Sequence, residues 1–83
     1  MTIEELKAAL RTVLEQEAQK PVDWHLVEQS CLAVIKRLNS EDEPNYPHHI
    51  VYHFLDDANV RRKSDAYASQ QRAKLKEWVE ETS

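Results

Sequence analysis

Apolar residues recur along this chain at the three- and four-residue spacing of amphipathic helices, broken by prolines and polar caps. Ile3, Leu6, Leu10, Val13 and Leu14 share one stripe, while Glu4, Glu5, Thr12 and Glu15 face away. Thr2-x-x-Glu5 matches a capping box, in which hydroxyl and carboxylate each satisfy an orphan backbone N–H. The pattern predicts a helix over 3–19, stopped by Pro21. A second helix is predicted over 22–38, with Pro21 in its first turn or Asp23 as its cap. Trp24, Val27, Cys31, Val34, Ile35 and Leu38 fall within about 100° of arc on it. Leu26 and Leu32 lie outside this stripe, so the helix is expected to meet more than one neighbour. Asn39-Ser40 ends it.

Residues 40–46, SEDEPNY, read as an acidic loop and the candidate hinge. Pro47 then opens a third helix over 47–57, where Ile50, Val51, Phe54, Leu55 and Ala58 form the stripe. Asp57 or Asn59 breaks it or caps a short extra turn. A fourth helix over 65–80 takes Ser64 or Asp65 as its cap. Tyr67, Ala68, Gln71, Leu75, Trp78 and Val79 share one face of it, and Glu80 and Glu81 oppose the helix dipole at its end. The expected fold is therefore all-α: a single domain over 1–83, a small compact bundle of three main helices plus a shorter one, with no sheet.

Length limits how much this bundle can bury. Eighty-three residues make one domain that hides roughly 60–65% of its unfolded surface. Total stability should be about 4–12 kcal/mol. Leu, Ile, Val and Phe number 19 of 83 residues, about 23%, enough for a folded core but with little to spare.

Glycine is absent. Backbone loops that cradle phosphates need glycine for positive φ and close approach, so P-loop and dinucleotide folds are excluded, and no cofactor is expected. Tight hairpins lean on glycine too, which disfavours a sheet. Cys31 is alone and lies in an apolar run, where it reads as a small buried hydrophobe. A lone cysteine fits the cytoplasm best. The acidic, amphipathic start MTIEELKAAL does not read as a signal peptide, and no apolar run reaches the ~18 residues that span a bilayer, so no membrane partner is expected.

Charge is segregated although the net value is only −4. Residues 41–57 carry five acids and no Lys or Arg; residues 58–76 carry six bases against one acid, a local +5.

Candidate chemistry concentrates in PNYPHHIVYHFLDD, residues 44–57. It holds three of the four histidines, three of the six aromatics and the Asp56-Asp57 pair. His49, His53 and Asp56 follow an i, i+4, i+7 pattern within about 60° of helix arc, the beginnings of a zinc or iron site. The aliphatic stripe centres about 150° away, so these side chains are expected to face solvent or another subunit. His53 and Asp57, at i, i+4, could form an acid–base pair, with Ser64 the nearest hydroxyl in sequence.

Arg61, Arg62, Lys63, Arg72, Lys74 and Lys76 invite a nucleic-acid reading of 61–76, but Arg72 and Lys76 fall on one flank of the last helix and Lys74 on the other. Tyr46 lies in a loop beside His48 and Tyr52, where an exposed ring could anchor a partner or lie as a lid over the end of the core. The reading that absorbs most of these features is a non-enzymatic protein-interaction or regulatory domain. Its contact surface combines Tyr46, His48 and Tyr52 with Arg61, Arg62 and Lys63. The rivals are a nucleic-acid binder and a metal or acid–base site at His49, His53 and Asp56. Leu26, Leu32 and Tyr52, left over from the stripes, would be the surface of a homodimer.

Overall fold

A computed structural model of the chain describes residues 1–40 and 45–81. Among them are five helices and no strand: α1 (Ile3–Glu17), α2 (Trp24–Ser40), α3 (His48–Asp56), α4 (Ala58–Lys63) and α5 (Asp65–Glu80). Residues 41–44, most of the expected acidic loop, lie outside the described residues.

The local signals act where the sequence places them. In α1, the Thr2 hydroxyl accepts from the Glu5 N–H at 3.0 Å, and the Glu5 carboxylate accepts from the Thr2 N–H at 2.9 Å. These two bonds satisfy orphan donors, and the Thr2 N–H, followed by the Thr2 hydroxyl, holds the Glu5 carboxyl below its usual range. Asp23 accepts from the Leu26 N–H at 3.1 Å and starts α2. Ser64 accepts from the Tyr67 N–H at 3.3 Å and starts α5, as the spacing predicts.

Several boundaries differ. α2 runs Trp24–Ser40 instead of 22–38, so Asn39 and Ser40 form its last turn and do not end it, and α3 runs His48–Asp56 instead of 47–57, with Pro47 just before it. α1 stops at Glu17, not 19, because its last turn tightens: the Ala18 N–H is shared between the Leu14 and Glu15 carbonyls, and the Gln19 N–H reaches Gln16. The extra turn expected near Asp57 is a helix in its own right, α4, which makes the count five instead of four.

α1, α2, α3 and α5 close into a ring in which each packs on the next, with α4 wedged against α2, α3 and α5. The core runs through the centre: Leu6, Leu10 and Val13 from α1; Val27, Cys31, Val34 and Leu38 from α2; Val51, Phe54 and Leu55 from α3; Ala58 from α4; Leu75 and Val79 from α5. The radius of gyration, 12.0 Å, is that of a folded chain of this length. No helix among the described residues is long and apolar enough to cross a membrane.

Candidate functional site

Glu17 and Arg61 place opposite charges in the interior. Glu17 and Arg61 side chains are each 0% exposed, and their facing oxygen and nitrogen are 2.9 Å apart. Arg61 also donates from Nε to both Glu17 oxygens, at 3.0 and 3.2 Å. Its Nη1 donates to the Phe54 carbonyl and, at 2.9 Å, to Gln71 Oε1. Nη2 also approaches Cys31 Sγ at 3.9 Å, and the guanidinium lies 3.6 Å over the Phe54 ring. Arg72 completes the pairing from the half-exposed side, donating to Glu17 Oε1 at 3.0 Å. A buried guanidinium is tolerable here because its planar fork finds acceptors all round.

The network continues outward through Gln71. Its Nε2 donates to Asp57 Oδ2 at 3.0 Å and to the Tyr67 hydroxyl at 3.1 Å, and that hydroxyl donates to Asp57 Oδ2 at 2.6 Å. Donation to a carboxylate pushes the Tyr67 pKa up, with burial adding to it. The expected His53–Asp57 pairing does not form: the Asp57 carboxylate turns to α5 instead. Ser64, the hydroxyl considered beside that pair, is occupied as the α5 cap.

Arg61 is thus withdrawn from the basic surface expected at 61–63, while Arg62 and Lys63 are exposed. The other expected contact residues form a stack. His48 lies on Tyr52 with ring centroids 4.6 Å apart and 9° between planes, and Tyr46 follows at 6.1 Å and 24°. Tyr46 and Tyr52 are half-buried and pack on the core, so they close its end as well as presenting a face. Leu26 and Leu32, the rest of the expected dimer surface, are 43% and 52% exposed.

His49, His53 and Asp56 are exposed, while Val51, Phe54 and Leu55 face inward. His49 and His53 line a cleft of about 170 Å³ against Tyr67, Gln70, Gln71 and Lys74 of α5; Asp56 is not part of it. Among the described residues no three His, Cys, Asp or Glu side chains gather in a group that could hold a metal ion. The Cys31 thiol, 1% exposed, is pushed up to about 11, chiefly by burial and partly offset by the Arg61 charge, and is therefore a protonated, inert group near neutrality.

A larger groove, of about 460 Å³, runs between α1 and α5. Leu14, Ala18, Ala73 and Val79 supply its apolar surface, Arg11, Arg72 and Lys76 its cations, and Glu15 and Glu80 its acids. The sequence reading did not find it, because it exists only where two helices meet. The buried Glu17–Arg61 pair was missed as well, although a signal was present. Glu17 is the next position of the Leu6, Leu10, Val13 stripe, and Arg61 the next of Phe54 and Ala58.

Comparison with known proteins adds no further guide: no family model matches the chain, and neither a curated protein nor a solved structure matches it significantly.

Proposed function

We propose that this chain is a small non-enzymatic protein-interaction domain whose α1/α5 groove takes an amphipathic segment of a partner protein. The observation that carries this reading is the groove itself: an apolar strip bordered by Arg11, Arg72 and Lys76 and by the acids Glu15 and Glu80, a local excess of one positive charge. A helix laid into such a strip buries its apolar face while its acidic flank meets the cations. The state of the polar groups also favours binding over catalysis. Glu17, Arg61, Gln71, Asp57 and Tyr67 are bonded to one another, the Cys31 thiol is held protonated by burial, and Ser64 caps a helix. The stacked Tyr46, His48 and Tyr52 rings, with the exposed Arg62 and Lys63, remain as secondary contacts.

The nucleic-acid reading of 61–76 has less support, because its bases are dispersed. Arg61 is interior, Arg72 and Lys76 border the α1/α5 groove, and Lys74 borders the α3/α5 cleft. Phosphate tracking wants them on one face.

Ala73 is exposed within the groove, so Ala73→Glu should block it without disturbing the core. The expected result is loss of a partner captured by the wild-type chain, at an unchanged melting temperature. Equal capture by Ala73→Glu, with loss in Tyr46→Ala/Tyr52→Ala, would move the contact surface to the ring stack. Binding carried instead by nucleic acid would show a steep salt dependence and retention on heparin.

A further inference from the structure

We propose that the cleft between α3 and α5, bounded by His49, His53 and Lys74, binds the phosphoryl group of a phosphate monoester that carries an apolar substituent. This inference is independent of the α1/α5 groove and uses side chains in place of the glycine loop that the sequence lacks.

His49 and His53 stand one turn apart on α3, a spacing that brings their Cβ atoms to within roughly 5–6 Å. Lys74 and Gln70 supply the facing wall from α5. The open cleft, of about 170 Å³, suits one small polar group rather than a chain of them. Among the described residues no carboxylate lines it. The nearest one linked to the cleft, Asp57, has its Oδ2 engaged by the Tyr67 hydroxyl at 2.6 Å and by Gln71 Nε2 at 3.0 Å. Gln71 Oε1 is in turn engaged by Arg61. Tyr67 and Gln71 therefore direct their polar atoms at each other and at Asp57. The His49 imidazole, the Lys74 ammonium and the Gln70 amide are left to meet a ligand, together with the His53 imidazole, whose ring stands edge-on to His48 at 6.4 Å.

That inventory decides between ligand classes. A metal ion on the two imidazoles would meet the Lys74 ammonium and lacks an anionic ligand. A neutral polyol could bond the Gln70 amide but would leave the Lys74 ammonium without a counter-charge. A phosphoryl dianion offers three acceptor oxygens to the Lys74 ammonium and to an N–H donor on each imidazole. What the phosphoryl group is attached to follows from the adjoining surface. Ile50 and Lys74 line a second hollow, of about 220 Å³, together with Glu77, Trp78 and Glu81. The substituent would lie over Ile50 and Trp78. Glu77 and Glu81 oppose a second phosphate there, which disfavours a polynucleotide.

The test is an NMR titration of the labelled chain with phenyl phosphate, inorganic phosphate and benzyl alcohol, following the His49 and His53 imidazoles and the Trp78 indole. Phenyl phosphate should shift all three saturably, with a Kd of about 1 mM or tighter. Inorganic phosphate should move the imidazoles and leave Trp78 in place. Lys74→Glu and His49→Gln/His53→Gln alter exposed residues. Each should weaken phenyl phosphate at least roughly tenfold while the rest of the spectrum stays dispersed, and Ala73→Glu should change nothing. The proposal fails if the wild-type imidazoles show no saturable shift, if Lys74→Glu binds equally well, or if benzyl alcohol reproduces the effect. It fails equally if zinc or a single-stranded oligonucleotide binds these residues more tightly than the monoester does.

Discussion

Arg61 has no exposed surface, yet it keeps a full set of polar partners in Glu17, Gln71 and the Phe54 carbonyl. Such a pair adds little net stability over apolar side chains of the same shape, but removing Arg61 leaves the buried Glu17 carboxylate with only the part-exposed Arg72 as its cation and opens a cavity where the guanidinium packed. Arg61→Ala should therefore cost about 3–5 kcal/mol, a large part of what a chain of this size has. Urea unfolding followed by circular dichroism measures this directly. Glu17→Leu/Arg61→Met should recover most of the loss, since Arg72 is part-exposed and can turn to water. A double variant no more stable than Arg61→Ala would mean that the carboxylate is not the partner that matters. At this scale the sequence was partly legible. Glu17 and Arg61 each continue an apolar stripe, and a charge in such a place signals a buried partner. Which partner it would be was not legible, because 44 positions separate the two.

Among the elements, the junction of α3 and α4 is the most informative. Asp57 ends one helix and precedes the next, yet its side chain caps neither. Its carboxylate is drawn across to Tyr67 and Gln71 of α5. The break is thus supported by a tertiary contact as well as by the local weakness of Asp in a helix. Asp57→Asn removes the negative charge that raises the Tyr67 pKa, so that pKa should fall back towards the ordinary tyrosine range. Ultraviolet titration of the phenolate, compared with Tyr67→Phe to isolate the residue, reads the shift. A Tyr67 titration unchanged by Asp57→Asn would show that burial, not the hydrogen bond, dominates. The four longer helices were legible from apolar spacing, helped by local caps at Thr2, Asp23 and Ser64 in α1, α2 and α5, although residue type left Ser64 and Asp65 as alternatives; α3 follows Pro47 with no side-chain cap. α4 was legible merely as an extra turn, since six residues, ANVRRK, hold too short a period to register.

For the whole molecule, the ring of α1, α2, α3 and α5 holds one core, and Arg61 ties α4 to α1 across it. That closure has a pH signature. The Cys31 thiol is raised from 9.0 to about 11, first by burial, and the Tyr67 hydroxyl is raised from its ordinary 10.0. Both groups keep protons in the folded chain that the unfolded chain releases. Their contribution is therefore fully present below pH 9.0 and declines as pH climbs towards about 11. Urea midpoints should fall between about pH 9 and about pH 11, and Cys31→Ala should flatten the early part of the fall. A midpoint that rises over that range would contradict a desolvated thiol.

The sequence by itself determined the helical class, the positions of the longer helices, the inward stripes and the outward facing of His49 and His53. These follow from spacing along a rod and from caps within three residues, which are local. The tertiary structure decided that Arg61 goes inside, that Asp57 pairs with α5 instead of His53, and that the concave surfaces lie between α1 and α5 and between α3 and α5. Those depend on which helix lies beside which, and that choice is made by the mutual packing of distant stripes, not by the period of any one of them.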